Sequence, residues 1–548
     1  MVLAMPSPTV FANARIGTAS DVCAIVVDGP RIAAVVPMAE APTGAHVDLD
    51  GRTVLPGIDD SHLHAYELGR SLTAIDCTAA ASLQDLQSLL RGARPEATGW
   101  YRGHGWESTR IHGSGTDGRV TAADIDAATD AGPALLSDST GHAALANSRA
   151  LELAGIGPGT DDPEGGIVVR DDSGRPTGLL LEAAVSLVAS AIPPISAQDR
   201  TDALLRMQEH LLARGIVAVT DPGLGPGGAT LMDGTGTLEA VQAYQDLDAS
   251  GRLALRTHVM LLFGGLGGTR ASDVAAGLDA WGPPTRAAGA RRLSIDQVKV
   301  FADGIPRSRT AWVSEPYDDC SHGSLTIAGA TDAERVEEFR AIVAAAASRG
   351  WQVGAHCTGD ATISAFLDAV EATATSHLRH YVIHGDLVQT DDLARLARLG
   401  MGMNTNPSIR WTVGTRVNSV LGTERNLRKQ PLAQAIAAGI PVALSSDAPV
   451  VAPDWQLIMA AAMTRALSDD PSYRDANAIT PAQAITGMTA AAAWQGHDES
   501  WRGAIAPGLA ADLLVLDGEV DWDDAWTLRD RTAQAVLIDG TVVYGSLT

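Results

Sequence analysis

Short apolar runs alternate with Ala- and Leu-rich segments through the middle of this chain, and this alternation constrains the fold most strongly. Runs of this length are typical of strands buried on both faces. The eight runs are TVLPGI (53–58), GIVAVTD (215–221), LRTHVMLLF (255–263), DQVKVFADG (296–304), WQVGAHC (351–357), HYVIHGD (380–386), MGMNTNP (401–407) and PVALSSD (441–447). Eight β-α units close into a (β/α)8 barrel, whose chemistry lies at the carboxyl ends of the strands. The sequence therefore predicts the α/β class and a TIM barrel over 56–499.

The two ends of the chain have a different pattern, in which short β-rich runs are broken by turn residues. The runs CAIVVDG, RIAAVVP and RTVLPG occur between Val10 and Leu55, and ADLLVLDG and AQAVLIDGTVVYG lie near the other end. We expect antiparallel strands from both termini to form one small β domain over 1–55 and 500–548. The stretch 66–210 is too long for one crossover, so we interpret it as an insertion that caps the barrel mouth.

Net charge and cysteine content indicate which binding partners and which cellular compartment to expect for this protein. The formal net charge of -25 disfavours nucleic acid and anionic membranes as partners. The four cysteines are widely spaced and form no CxxC pair, so we expect neither a disulfide framework nor a cysteine-built zinc site. The N-terminus lacks a signal-like pattern, and no apolar run approaches about 18 residues. We therefore expect a cytoplasmic protein without a membrane anchor, and a homodimer if it assembles, because dimers are the commonest soluble oligomers.

Ionisable residues recur at the carboxyl ends of the predicted barrel strands. His62 and His64 stand two residues apart after the first strand, and in an extended segment such residues point to the same side. Four further residues at strand ends are Lys299, His356, His384 and Asp447. Neutral imidazole and carboxylate suit zinc and similar divalent ions, so these positions predict a metal site.

Each of these residues also has an ordinary structural interpretation. His384 alone could be a hydrogen-bonded core histidine, and Asp447 in SSDAP could cap the next helix. Lys299 lies in the apolar run VKVFADG, where a buried ammonium costs several kcal/mol unless it is paired or neutralised. It could pair with Asp303. Alternatively, its amine carries a carboxylate group that bridges two metal ions.

The sequence resembles the amidohydrolase superfamily of metal-dependent hydrolases, and within it the amidohydrolase family 3 branch, which includes N-substituted formamide deformylases. The resemblance covers almost the whole chain. The ordered motifs that carry it are PGIDDSHLH, TGHAALANSRAL, DPEGGIVVRDDSGRPTGLLLEAA, GIVAVTDPG, VKVFADG, AHCTGD, VIHGD, SSDAP and GAIAPGLAADLLVLD.

This resemblance implies a fold, a metal set and a proton carrier. The fold is a (β/α)8 barrel with a β-sandwich built from both termini. His62, His64 and Asp447 would hold one metal ion, His356 and His384 a second, and carboxylated Lys299 would bridge them. The expected cofactor is Zn²⁺, in two copies, although the superfamily also has members with one ion and other divalent metals. Asp447 would take a proton from the attacking water and deliver it to the leaving nitrogen.

The substrate pocket is less constrained by the sequence. His142 lies in the insertion and would contact the substrate carbonyl or the developing oxyanion, unless it fixes the backbone of the insertion. Further pocket candidates are Trp106, Arg307, Arg410 and Trp411. The chain departs from the family pattern at GIPRSRTA, at Asn406-Pro407 with no nearby histidine, and at Asp59, where an apolar residue is usual. No relative's substrate therefore transfers to this chain.

These observations predict a metal-dependent hydrolase that cleaves the carbon–nitrogen bond of a small amide, either an N-acyl or N-formyl compound or a cyclic amide. One alternative is a deaminase of an aromatic or amidine-like ring. Deaminases of the superfamily typically lack the bridging lysine, so Lys299 disfavours this alternative. A second alternative is a catalytically silent barrel that acts by binding; the presence of all six candidate ligands disfavours it.

Overall fold

The computed structural model describes residues 8–96, 98–106, 111–115, 118–138, 143–163, 166–182, 184–230, 236–264, 268–287 and 292–547. The chain divides into two compact units. The barrel unit comprises Met1–Ala65, Gln208–Gly223 and Gln245–Thr548, and the insertion unit comprises Tyr66–Met207 and Leu224–Tyr244.

Strands are numbered in chain order through the described residues. They are β1 (Thr9–Ile16), β2 (Val22–Asp28), β3 (Arg31–Pro37), β4 (Ala45–Asp48), β5 (Thr53–Pro56), β6 (Ile58–Asp60), β7 (Ile75–Asp76), β8 (Tyr101–Trp106), β9 (Ala134–Asp138), β10 (Ala143–Ala146), β11 (Gly166–Arg170), β12 (Pro176–Glu182), β13 (Ile216–Leu224), β14 (Arg256–Leu261), β15 (Leu293–Phe301), β16 (Gln352–Cys357), β17 (Tyr381–His384), β18 (Gly402–Thr405), β19 (Val442–Leu444), β20 (Leu513–Leu516), β21 (Ala533–Ile538) and β22 (Thr541–Gly545).

Helices are numbered in the same way. They are α1 (Ala65–Ser71), α2 (Leu83–Gly92), α3 (Ala122–Asp126), α4 (Ser148–Leu153), α5 (Val185–Ala189), α6 (Ala197–Leu212), α7 (Leu238–Ala249), α8 (Ala271–Trp281), α9 (Asp332–Ala347), α10 (Asp360–Thr373), α11 (Thr390–Arg398), α12 (Pro407–Val413), α13 (Asn418–Leu421), α14 (Thr423–Leu427), α15 (Leu432–Ala437), α16 (Trp455–Thr464), α17 (Pro481–Gly487) and α18 (Ala490–Gln495). None of the helices in the described part of the chain is both long and apolar enough to span a bilayer.

The predicted parallel barrel is confirmed. Its sheet has the order β19-β18-β17-β16-β15-β14-β13-β6. Every residue of β14, β16 and β17 is buried, as expected for parallel strands covered on both faces. The two ends of this sheet meet through backbone bonds, because Asp447 N donates to His62 O at 2.8 Å and His64 N donates to Ala448 O at 2.8 Å. The barrel is therefore nearly closed at the edge that carries the candidate ligands.

The predicted first barrel strand, 53–58, is wrong in its boundary. Residues Thr53–Pro56 form β5 of the terminal sheet, and the barrel strand is Ile58–Asp60. Gly57 separates the two strands and lies against β13, where an added Cβ would collide with Val217. A glycine is needed there because the chain passes from one sheet to the other in close contact with the barrel.

A separate sheet built from both termini is also confirmed. Its order is β22-β21-β20-β5-β1-β2-β3, and β4 pairs with β1. The expectation of antiparallel strands alone is wrong, because β1 pairs parallel with both β4 and β5. Apolar side chains from both chain ends, including Phe11, Val54 and Leu513, share one core, so neither end could bury its strands alone. The predicted boundaries 1–55 and 500–548 stay a prediction.

The insertion unit contains its own mixed sheet, of order β11-β12-β10-β9-β8-β7. Neighbouring residues Leu135 and Leu136 on β9 join different apolar clusters, as the alternation of side chains across a strand requires. The sequence predicted an insertion over 66–210. That it caps the barrel mouth stays a prediction.

Candidate metal centre

The six predicted ligands all lie at one edge of the barrel sheet. His62 and His64 follow β6, Lys299 lies on β15, His356 on β16 and His384 at the end of β17; Asp447 follows β19. In the parallel register, Phe301 is paired with His356 and Cys357 with His384, whereas Lys299 is paired with Gly354.

His62, His384 and Asp447 form the tightest group. Each offers a ligand atom, and these atoms lie within 4.8 Å of one another. The Oδ1 atom of Asp447 is 3.4 Å from His62 Nε2 and 3.3 Å from His64 Nε2. The backbone of Asp447 has a positive φ of 63°, which is uncommon outside glycine. In this conformation its carboxylate faces the imidazoles of His62 and His64. The arrangement is a buried cluster of nitrogen and oxygen donors around one point.

His356 and His384 are adjacent, with ring centroids 4.4 Å apart. The remaining nitrogens of the two rings face different partners. His356 Nε2 lies 3.1 Å from the backbone oxygen of Gly304, whereas His384 Nδ1 lies 2.6 Å from Asn406 Oδ1. Neutral imidazole has one N–H and one lone pair. The lone pair that could bind a metal ion is therefore on Nδ1 of His356 and on Nε2 of His384.

Burial and nearby charges determine the protonation states of the four residues His62, His356, His384 and Asp447. Burial lowers the pKa of His62, His356 and His384, and the nearby Lys299 lowers these pKa values further. Burial would raise the pKa of Asp447, but its contacts with His62 and His64 hold that pKa well below its usual range. The group therefore presents neutral imidazoles and an ionised carboxylate at neutral pH, which are the protonation states that a divalent cation requires.

His62 fits a ligand role best. It is fully buried, and neither of its ring nitrogens has a partner with hydrogen-bond geometry among the described residues, although Nε2 is 3.4 Å from Asp447. A buried polar atom without a partner costs about 1–3 kcal/mol. A cation between His62, His384 and Asp447 would give one of the two ring nitrogens a partner, so the residues present fit a metal ion.

Lys299 is 1% exposed, and its Nζ lies 4.6 Å from the centroid of the Phe301 ring. Burial lowers the pKa of Lys299 to about 8, although Asp447 opposes the shift. The alternative partner, Asp303, is engaged elsewhere: its carboxylate accepts from the backbone N–H groups of Thr358 and Gly359 at 3.0 and 2.8 Å. Among the described residues, Lys299 forms no ion pair with Asp303.

The helix-capping alternative for Asp447 is also not supported by the geometry. The helix that follows β19 is α16, and its N-cap is Asp454, whose side chain accepts from Leu457 N. The carboxylate of Asp447 is instead directed at His62 and His64.

The predicted pocket residues have different surroundings. His142 lies outside the described residues. Trp106 is buried in the apolar core of the insertion unit, where its indole N–H donates to Leu136 O at 2.8 Å. Arg307 is exposed in the segment after β15. Their roles as substrate contacts stay predictions.

Arg410 and Trp411 lie on α12, which follows β18. Arg410 is buried and donates to Arg465 O at 2.9 Å and to Asp475 at 3.4 Å. The ring of Trp411 lies 6.3 Å from that of Trp526. These contacts give both residues structural partners, and their roles as substrate contacts also stay predictions.

Asn406 contacts the site but was noted in the sequence only as a departure from the family pattern. It follows β18 and is 1% exposed. The signal that could have found it is the pair of asparagines in MNTN, because two amides two residues apart at the end of a buried strand need internal partners.

An eight-stranded parallel barrel with imidazoles and a carboxylate gathered at its carboxyl edge defines a metal-dependent hydrolase of the TIM-barrel class. The model of the Amidohydrolase family matches residues 45–544. The chain therefore belongs to the Amidohydrolase family, in the family 3 branch that its motifs indicated.

Individual relatives cover nearly the whole chain. N-substituted formamide deformylase of Arthrobacter pascens is 29% identical over an alignment of 550 residues, which covers 97% of this chain and 97% of the deformylase. YtcJ of Bacillus subtilis (strain 168) is 28% identical over 514 residues, covering 92% of this chain and 91% of YtcJ. The crystal structure of an uncharacterized metal-dependent hydrolase from Pyrococcus horikoshii OT3 has a TM-score of 0.75 at 24% identity, covering 94% of this chain and 98% of that one, and it supports the fold.

Proposed function

We propose that this chain hydrolyses the carbon–nitrogen bond of a small amide, either an N-acyl or N-formyl compound or a cyclic amide. The observation that carries this proposal is the buried group of His62, His384 and Asp447 at the carboxyl edge of an amidohydrolase barrel. The similarity to N-substituted formamide deformylase over 97% of each chain supports an amide as the substrate class.

The proposed metal set has six residues. His62, His64 and Asp447 would hold one Zn²⁺, and His356 with His384 would hold a second; other divalent ions would suit the same donors. Carboxylated Lys299 would bridge the two positions. When bound, such ions lower the pKa of water and polarise a substrate carbonyl.

The carboxylation of Lys299 is supported by its environment. With a pKa near 8, part of the amine is neutral at neutral pH, and only the neutral amine can attack carbon dioxide. In that reaction a nitrogen–carbon bond forms and one proton leaves, so a buried cation becomes an anionic ligand. The chain has only two lysines, Lys299 and Lys429, against 38 arginines, and a guanidinium could not take part in this reaction.

Asp447 is the proposed proton carrier. Because its carboxylate is ionised, one oxygen can accept the proton of the attacking water and later deliver it to the leaving nitrogen. His142 is the proposed contact for the substrate carbonyl or the oxyanion. The burial of the site keeps bulk water away from both transfers.

Replacing Asp447 tests this function. We expect Asp447→Asn to lower kcat/KM by roughly 10²- to 10⁴-fold on any amide that the wild-type protein hydrolyses, because the amide group cannot carry the proton. The substrate would come from a screen of formamides, N-acyl amino acids, cyclic imides and lactams, with zinc content measured in parallel. Asp392→Asn is the matched control, since Asp392 is a buried aspartate on α11 outside the site.

The outcomes separate the alternatives. Near-wild-type turnover by Asp447→Asn would remove Asp447 from the proton-carrying role. Release of ammonia from a ring substrate, without amide hydrolysis, would favour the deaminase. Full zinc loading without turnover on any amide would favour a silent binding protein.

The lysine modification has its own test. In protein equilibrated with ¹³C-bicarbonate, a carbamate carbon signal should appear for the wild-type chain and be lost in Lys299→Met. Lys429→Met should keep it, because Lys429 is paired with Asp386 at 2.8 Å. Zinc content should fall from two equivalents to one or fewer in Lys299→Met alone. A carbamate signal that persists in Lys299→Met would refute the bridge.

A further inference from the structure

A buried asparagine orients the imidazole of His384. Asn406 Oδ1 lies 2.6 Å from His384 Nδ1. The other end of the same amide, Nδ2, donates to the backbone oxygen of Ser445 at 3.3 Å and to its Oγ at 3.0 Å. A backbone oxygen can only accept, so the NH₂ group of Asn406 must face Ser445 and its oxygen must face His384. His384 therefore has to donate from Nδ1.

The same direction continues on the far side of Ser445. Its Oγ donates to Asn404 Oδ1 at 2.5 Å, and Asn404 Nδ2 donates to Gln495 Oε1 at 2.9 Å. Gln495 Nε2 then donates to the backbone oxygen of Ser61 at 2.9 Å. This last acceptor fixes the direction of every bond that precedes it. Asn404, Asn406, Ser445, Gln495 and Ser61 are all buried.

We propose that Asn406 is a positioning residue that holds His384 as the Nδ1–H tautomer and leaves the Nε2 lone pair available to a cation. Hydrogen bonds to the distal ring nitrogen of a metal-binding histidine fix both its tautomer and its orientation. His356 is fixed in the opposite tautomer by the backbone oxygen of Gly304. The two neighbouring imidazoles thus present different ring nitrogens. The consequence for metal affinity rests on the proposed function, whereas the tautomer does not.

The chain of bonds also links the two sides of the site. It starts at His384 on β17, passes through residues at the ends of β18 and β19 and through Gln495 on α18, and ends at Ser61, the residue before His62. A displacement of His384 would therefore disturb buried hydrogen bonds at the ends of β18 and β19 and at α18. A buried group that loses its partner costs about 1–3 kcal/mol, which opposes rotation of the ring.

The experiment is nitrogen NMR of the metal-free full chain with ¹⁵N-labelled histidine, with His384 assigned by the signal lost in His384→Gln. Wild-type His384 should show a protonated Nδ1 and an unprotonated Nε2. Asn406→Leu should show a mixture of tautomers, and its zinc dissociation constant, from chelator competition, should rise roughly 10- to 100-fold. A wild-type spectrum with His384 protonated at Nε2 would overturn the proposal without any variant.

Two further variants separate positioning from a general loss of structure. Asn426→Leu removes a similar buried amide, which donates to Gly414 O at 2.9 Å, and should leave both readouts unchanged. Asn406→Asp keeps an acceptor beside His384 and should keep the Nδ1–H tautomer. A tautomer that changes as much in Asn406→Asp as in Asn406→Leu would refute the acceptor role of Oδ1. If the wild-type chain bound no zinc, the proposed metal function would fail while the tautomer measurement still tested Asn406.

Discussion

Replacing Asp59 with leucine should destabilise the barrel, although leucine restores the apolar side chain that is usual in the family. Asp59 lies on β6 and is 3% exposed. Its Oδ2 accepts from Arg502 Nη1 at 2.6 Å, and both side chains are buried. The departure from the family pattern thus has a structural reason, because Arg502 supplies the compensating charge.

The magnitude follows from what remains around Arg502. Its Nε also donates to Asp498 at 2.8 Å, but Asp498 is shared with His258 at 3.0 Å. Removing one partner of a buried ion pair typically costs about 3–5 kcal/mol. Because Arg502 keeps one carboxylate, we expect a loss near the lower limit, about 3 kcal/mol, for Asp59→Leu. Arg502→Met leaves Asp59 without a cation and should cost about 3–5 kcal/mol.

The double variant makes the test sharp. In Asp59→Leu/Arg502→Met both charges are gone, and replacing a buried pair by apolar residues is often neutral or stabilising. We therefore expect the double variant to be more stable than Arg502→Met alone, in urea unfolding at pH 7 followed by circular dichroism. Asp318→Leu is the control, because its 2.8 Å pair with Arg309 is exposed to solvent and should contribute little to stability. Losses in the double variant equal to the sum of the two single losses would refute the reasoning.

Two further predictions concern other buried groups. Burial would lower the pKa of His258, but Asp498 and Asp296 raise it to about 10, so its contribution to stability is complete below pH 6.5 and is lost as the pH rises toward 10. Urea unfolding between pH 7 and 10.5 should show this loss in the wild-type chain and a flatter profile in His258→Gln; equal slopes would contradict it. In the insertion unit, Asn147 accepts from two backbone N–H groups at 2.9 Å and donates to a hydroxyl and a backbone oxygen, so Asn147→Ala should cost about 2–4 kcal/mol. Faster hydrogen exchange over 128–151 would support this expectation, and unchanged exchange would oppose it.

The barrel could be predicted because its signal is local. Each strand between 215 and 447 is a short apolar run between helical segments, and burial on both faces makes the run continuous. The first strand was misplaced because 53–58 reads as one apolar run, while the structure divides it at Gly57 between two sheets. Which sheet a residue joins depends on partners such as Leu514 of β20, more than 450 residues away. The pattern within one short segment gives no information about a partner so far away in the sequence.

The placement of the candidate ligands could be predicted because strand ends of a barrel lie at one edge, so a histidine there is near the others whatever the loops do. The pocket candidates lacked such a rule. Arg410 could not be placed from the sequence, since its partners Arg465 and Asp475 lie on later segments. The amides beside His384 were missed for the same reason. The role of a buried asparagine depends on its hydrogen-bond partners, and those of Asn406, His384 and Ser445, belong to other segments of the barrel.

The polar groups buried in this barrel differ in how completely they are satisfied. Asp59, Arg502, Asp498 and His258 form a charge network whose members all have partners within 3.0 Å. The amides beside His384 also satisfy one another. His62 differs from both groups, because each of its ring nitrogens lacks a hydrogen-bond partner among the described residues. A cation would give one of these nitrogens a partner, and the ionised carboxylate of Asp447 beside neutral imidazoles favours a positive charge there. A cation would therefore add a contact to His62 at this edge of the barrel, where the hydrogen bond from His384 to Asn406 already orients a second imidazole.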